Sequence, residues 1–229
     1  MILKYTTLLL DADGTFLDFK RTEKQALIHT FEKHHLVLTP EIKAHYDEVN
    51  HGLWKQFELG LIDKKTVVYT RFVQLFKDLN IDEDGIAFED EYQETLSRFG
   101  YLLPEADEVL QRLSQHFQLY VVTNGVSHTQ HTRLNDTGAV QYFKDVFVSE
   151  DIGYQKPMRE YFEYCFDHME NFELEKTLMV GDSLTSDIQG GLNMGMDTCW
   201  IHDEHQHNPG LPITYEVKNL KELETLLLG

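Results

Sequence analysis

Hydrophobic positions along the chain fall into two textures. Residues 6–11, TTLLLD, are a short unbroken apolar run ending in a carboxylate, as expected of a strand buried on both faces. From about Arg21 to Phe99 the apolar spacing lengthens to that of a helix. Ile42, Tyr46, Val49, Leu53 and Phe57 recur at steps of four, three, four and four. Val68, Phe72, Leu75, Phe76 and Leu79 repeat the pattern, and so do Phe88, Tyr92, Leu96 and Phe99. Such stripes predict helices with one buried face.

Beyond Pro104 the texture changes again. Helical patterns over 105–116, 127–138, 157–169 and 186–194 alternate with apolar runs over 118–125, 145–150, 177–182 and 197–201. Alternating strands and helices imply right-handed crossovers and a parallel sheet covered on both faces. The expected fold class is therefore α/β: a doubly wound, parallel, Rossmann-like sheet with an all-helical insert after the first strand. The expected domains are residues 1–17 with 104–229, the α/β core, and residues 18–103, the helical insert.

In open parallel sheets, ligands bind outside the carboxyl ends of the strands. Asp11 and Asp13 follow the first strand; Thr123, Asn124 and Gly125 follow the second. Lys156, ahead of Pro157, lies just past the third, and Asp182 follows the fourth, with Asp187 five residues on. Singly, each has an ordinary role: a strand-end Asp caps a helix, Thr and Asn make turns, and a Lys is solvated. Jointly they gather chemically capable groups at one sheet edge. The pair Asp11 and Asp13 is the sharpest signal, because neighbouring like charges persist only where a cation or a shared proton offsets their repulsion.

Charge narrows the partners. The 229 residues carry 39 Asp and Glu against 20 Lys and Arg, a formal charge of −19. That argues against a nucleic-acid polymer and against an anionic membrane surface. An anionic substrate would then need a local positive field, which a metal ion can supply. Cys165 and Cys199 show no zinc-ligand spacing and are read as reduced core thiols. The apolar run after Lys4 is too short for a signal sequence or a membrane span, so a cytoplasmic protein is expected.

The set DADGT (11–15), VVTNG (121–125), QKP (155–157) and GDSLTSD (181–187) resembles, in order and in strand context, the signatures of the haloacid dehalogenase-like (HAD) hydrolases. The resemblance covers essentially the whole chain. It implies a helical cap closing over the site, Mg²⁺ as cofactor and phosphoryl transfer through an aspartyl-phosphate. Carried over residue by residue, it makes Asp11 the nucleophile and Asp13 the acid and then base. Asp11, the Asp13 carbonyl and Asp182 would hold the metal, and Asp187 would steady a metal-bound water or Lys156. Thr123, the Asn124 amide and Lys156 would hold the phosphoryl oxygens. Retention of Asp13 speaks against carbon–halogen cleavage, since dehalogenases of the superfamily lack this second Asp. Phosphonate-cleaving relatives use a cap lysine; Lys20, Lys24, Lys33 and Lys43 are the candidates here, read as solvated. Mutases share all four motifs.

The runs TNGVSHTQHTRL and TGAVQYFKDVFVSEDIGYQKP look like the bacterial pyrimidine 5′-nucleotidases. This makes a nucleoside monophosphate the expected partner of a monomer or homodimer. Trp54, Phe57, Phe16 and Phe19 are candidates to stack on a base, with core packing the stronger reading of Trp54 and Phe57. His128 and His131 are candidates to face the site without a catalytic step, and HDEHQH (202–207) is a candidate surface metal cluster read as solvated. The alternatives are a phosphoglycolate or sugar-phosphate phosphatase on the same scaffold, and a non-catalytic metabolite-binding protein.

Overall fold

A computed structural model describes residues 4–202 and 205–229. The chain divides into two compact units, Met1–Phe19 with Gly100–Gly229, and Lys20–Phe99.

The first unit is built on a parallel sheet, six-stranded among the described residues: β1 Thr7–Leu10, β2 Gln118–Thr123, β3 Asp145–Val148, β4 Thr177–Gly181, β5 Asp197–Ile201 and β6 Tyr215–Val217. Spatial order is β3-β2-β1-β4-β5-β6, with every neighbour parallel. The sense of winding therefore reverses between β1 and β4, which opens a crevice at their carboxyl ends. β1 alternates its leucines between two cores. Leu8 and Leu10 join Val109, Leu113, Val121, Val180 and Leu223 on one face; Leu9 joins Val122, Met179, Tyr161 and Phe162 on the other. Burial on both faces explains why these strands read as continuous apolar runs.

The helices that follow residue 100 are α5 Ala106–Ser114, α6 Ser127–Asp136, α7 Ser149–Ile152, α8 Arg159–Asp167, α9 Gln189–Met194 and α10 Leu220–Leu228. The expected helix from Ser186 is instead a π-helical turn over Leu184–Ile188, with Ile188 N–H donating to the Ser183 carbonyl, followed by α9. β6 and α10 were not anticipated. β6 is three residues long, too short to carry a period of its own.

The second unit comprises α1 Phe19–Lys33, which begins on the boundary residue, α2 Pro40–Glu58, α3 Lys64–Leu79 and α4 Gly85–Ser97. Local chemistry sets their ends. Thr39, Asp63 and Asp84 accept from N–H groups of the first turns of α2, α3 and α4; Pro40 opens α2; Asn80 closes α3 in the left-handed conformation. The apolar stripes meet in an aromatic core in which Phe72 touches Tyr46, Phe76, Phe88 and Tyr92. Phe57 is buried, consistent with its place on a stripe, and packs edge-on against Trp54 at 5.6 Å.

No helix of the described residues is long and apolar enough to cross a membrane. Cys165 and Cys199 are free, buried thiols, and burial pushes Cys199 up to about 12.

Candidate active site

Register does most of the assembly. Leu10 lies beside Val121 of β2 and Val180 of β4, so the residues that follow emerge together at the crevice between β1 and β4. The Asp11 N–H still donates to the Val180 carbonyl at 2.9 Å, which seats its side chain at the sheet edge. The turn then tightens at Gly14, whose φ is +82°. A Cβ there would lie 2.3 Å from Asp182 Oδ2, so only glycine lets the first loop pass this close to the fourth strand's carboxylate.

Lys156 is almost fully buried and its ammonium protons are all engaged. It donates to Asp11 Oδ1 at 2.6 Å, Asp187 Oδ1 at 2.7 Å and the Val122 carbonyl at 2.6 Å. Asp11 Oδ2 accepts no hydrogen bond among the described residues. Asp187 is brought back to the site by the π-helical turn, and its second oxygen accepts from the Ser183 N–H at 3.0 Å. The loop carrying Lys156 is clamped by Asn124, whose side chain donates to the Lys156 carbonyl and accepts from its N–H, each at 3.0 Å. Trp200 donates from Nε1 to the Asp182 carbonyl at 2.9 Å, tying β5 to the end of β4.

Three carboxylates therefore surround one lysine. Oxygens of Asp11, Asp182 and Asp187 lie within 4.8 Å of one another. Burial raises the proton affinity of Asp11; Lys156 opposes the rise, while Asp187 and Asp182 add to it. Burial and the neighbouring Asp187 push Asp182 up to about 7. Lys156 is held protonated, because Asp11 and Asp187 outweigh the desolvation that would neutralise it. One ammonium leaves this carboxylate set short of positive charge. An all-oxygen, anionic donor set of this kind fits a hard divalent cation, so the residues present are compatible with magnesium.

Asp13 adds to the negative field at Asp182 but has hydrogen-bond partners of its own. Its Oδ1 pairs with Arg133 at 2.7 Å and its Oδ2 accepts from Gln130 at 3.0 Å. Thr123 Oγ1 accepts from Gln130 Nε2 at 2.7 Å and from the Gly125 N–H at 3.1 Å. Gln130 and Arg133 went unnoticed in the sequence, although their spacing puts both on one face of α6. The histidines considered there lie elsewhere. His128 is exposed, and His131 pairs with Asp151 at 3.2 Å on the surface.

The remaining candidates have partners of their own. Phe16 is buried in the α/β core against Phe143 and presents no face to a ligand; Phe19 lies under the Arg133 guanidinium at 5.5 Å. Lys33 pairs with Glu91 and Lys43 with Glu23 and Asp47, as surface lysines do. In HDEHQH, His202 stacks on Trp200 at 3.7 Å and pairs with Glu216; Asp203 and Glu204 lie outside the described residues, and His205 and His207 are exposed.

Comparison with known proteins identifies the family. The family model described as haloacid dehalogenase-like hydrolase matches residues 5–195. The chain is 39% identical to the pyrimidine 5′-nucleotidase PynA of Streptococcus pneumoniae, over 96% of this chain and 93% of that protein. It is 31% identical to the pyrimidine 5′-nucleotidase YjjG of Escherichia coli, over 98% and 99% respectively. A crystal structure of the Bacillus subtilis HAD-hydrolase YfnB, described as bound to magnesium, is 46% identical and superimposes with a TM-score of 0.94, covering 99% of this chain and 100% of that one. The chain belongs to the haloacid dehalogenase-like hydrolases.

Proposed function

We propose that this hydrolase cleaves the phosphate ester of small metabolites, foremost pyrimidine nucleoside 5′-monophosphates. One observation carries the reading. Asp11 is buried and fixed through one oxygen by Lys156, with its other oxygen unclaimed and a second acid, Asp13, two residues away. A carboxylate so held is aligned to attack phosphorus. In the first step the Asp11–phosphorus bond forms as the ester P–O bond breaks, and Asp13 gives its proton to the departing oxygen. In the second, Asp13 takes a proton from water, which attacks the aspartyl-phosphate and frees Asp11 and inorganic phosphate. Splitting one difficult displacement into two is the gain from a covalent intermediate.

Lys156, the Thr123 hydroxyl and the Asn124 amide are the groups proposed to receive the phosphoryl oxygens, with Lys156 contributing mainly its charge. Asp11, the Asp13 carbonyl and Asp182 are proposed to hold Mg²⁺, with Asp187 steadying Lys156. Bound there, the cation would neutralise charge developing on the phosphoryl group. The choice of nucleotide rests on the relatives PynA and YjjG, both named for that activity, and on the TNGVSHTQHTRL run.

The test is phosphate release from a panel of pyrimidine and purine monophosphates, sugar phosphates and phosphoglycolate, with Mg²⁺ and with excess chelator. The expected result is metal-dependent release led by pyrimidine monophosphates and lost by at least about 1,000-fold in Asp11→Asn, which still folds. Preference for sugar phosphates or phosphoglycolate would reject the substrate. Turnover surviving in Asp11→Asn would reject the mechanism.

A further inference from the structure

α6 carries a hydrogen-bonded triangle that the motifs above leave without a task. Arg133 donates to Asp13 Oδ1 at 2.7 Å and to Gln130 Oε1 at 2.9 Å, and Gln130 Nε2 donates to Asp13 Oδ2 at 3.0 Å. Each oxygen of Asp13 is thus met by its own donor, and the two donors are locked to each other. The remaining Gln130 proton goes to Thr123 Oγ1 at 2.7 Å, so one amide spans the first and second motifs. Because Thr123 Oγ1 already accepts from Gln130 and from Gly125, its own hydroxyl proton is left to point elsewhere.

Two further observations separate this triangle from ordinary packing. Arg133 is 1% exposed, yet its Nε has no hydrogen-bond partner among the described residues. A buried, unpaired donor costs stability, so the guanidinium is oriented towards Asp13 and Gln130 at the expense of its own Nε. Gly125, the last residue of VVTNG, is open for the same reason: a Cβ there would stand 2.5 Å from Gln130 Cγ. The glycine that ends the second motif therefore makes room for the amide that reaches the first.

We infer that Gln130 and Arg133 are positioning residues for the acid–base carboxylate, setting the angle at which Asp13 meets the leaving oxygen and, through Gln130, the angle of the Thr123 hydroxyl. The inference rests on the phosphatase reading above. A carboxyl group has about four lone-pair sites, so two oxygens that each accept one bond still have room for the proton in transit. In the transfer step the Asp13 O–H bond breaks, its proton joins the leaving oxygen together with the electron pair of the broken P–O bond, and Asp13 remains as carboxylate. Free rotation of Asp13 would spoil this alignment without touching the Asp11 attack.

That difference defines the test. An alkyl leaving group, such as the 5′-oxygen of a nucleoside monophosphate, needs the proton; a p-nitrophenolate leaves without it. The measured quantity is kcat/KM, which reports steps up to formation of the aspartyl-phosphate, for both esters with Mg²⁺ present. Arg133→Met and Gln130→Met are each expected to lose about tenfold or more on the nucleotide beyond any loss on p-nitrophenyl phosphate, within the span of general acid catalysis. Asp13→Asn is expected to show the same asymmetry in larger degree, and Arg133→Lys to regain part of the nucleotide rate. Equal losses on the two esters, or none, in variants whose melting midpoints match the parent would overturn the inference and leave the phosphatase reading standing. Should Arg133→Met not fold, Arg133→Lys and Gln130→Met decide by the same ratio. A parent protein that cleaves neither ester would overturn both.

Discussion

Each unit buries a cluster of opposite charges, and the two clusters balance differently. In the helical unit Arg71 meets Glu89 through two hydrogen bonds of 2.7 and 2.6 Å, its third edge reaches Asn50, and the rings of Tyr92 and Phe72 lie 4.8 and 5.6 Å from its guanidinium. One cation faces one hydrogen-bonded anion, the nearby Glu23 has Lys43 as its own partner, and the guanidinium's remaining edge is satisfied. In the α/β unit one cation, Lys156, faces Asp11 and Asp187, with Asp182 alongside. The first cluster is complete as built and holds helices together. The second carries an excess of negative charge that only an added cation or added protons can offset. Imbalance, rather than burial or the presence of an ion pair, marks the place where chemistry is expected.

The contrast can be broken from the structural side first. Removing one partner of a buried pair leaves an uncompensated charge, at about 3–5 kcal/mol. Arg71→Met should therefore lower the melting midpoint by about 10 °C, at about 2–4 °C per kcal/mol for a chain of this size. The double replacement Arg71→Met with Glu89→Leu should recover most of that loss, as followed by circular dichroism. Equal melting of both variants would mean the pair contributes through shape and not through charge balance.

A smaller effect is expected at the first loop. Gly14→Ala must hold φ near +82° and push its Cβ against Asp182, where the contact would be 2.3 Å. The backbone cost is about 1–2 kcal/mol. Displacing Asp182 should weaken the dependence on Mg²⁺ by about tenfold, read as the metal concentration giving half-maximal phosphate release. The Arg71 pair should be untouched, so loss of cation response without large unfolding separates the clusters.

The smallest effect is a pH dependence. Burial and Asp187 raise Asp182 from an ordinary 3.8 to about 7, so the folded chain holds a proton that the unfolded chain has released across that window. Stability contributed by this group is therefore greatest near pH 4 and falls as pH rises towards 7, flattening above it. The cation-free protein should lose about 2–4 °C in melting midpoint over that interval, after allowing for partial solvent access. Saturating Mg²⁺ should restore the loss at pH 8, and Asp182→Asn should reduce both the slope and the restoration, leaving the part that belongs to Asp11. A slope undiminished in Asp182→Asn would assign it to other carboxylates.

Much of this was legible in one dimension. The stripe from Ile42 to Phe57 became α2, and the apolar runs over 118–125 and 177–182 became β2 and β4, because burial of one face or of both imposes a period that local sequence displays. Asp11 and Asp182 were readable for the same reason, each following a strand whose end the pattern marks, whereas Lys156 sits on a loop reached only after α7, which follows β3. What escaped had no period or was defined only across space. β6 borrows its pairing from β5, and the contact of Asp187 with Lys156, which the family resemblance implied, is made through a π-helical turn where a regular helix was expected. Phe16 looked available for a base beside the motif, but the turn at Gly14 directs it into the core.

The sequence by itself determined the parallel α/β class, the helical segment and the strand-end carboxylates, since these follow from hydrophobic periodicity and chain order. Only the tertiary structure decided that Lys156 serves two aspartates at once, that Asn124 clamps the lysine's loop, and that Gln130 and Arg133 grip Asp13. The reason is geometric. A hydrogen bond acts over about 3 Å, so partners 117 and 145 residues apart along the chain become neighbours only after the sheet register has brought their strands together.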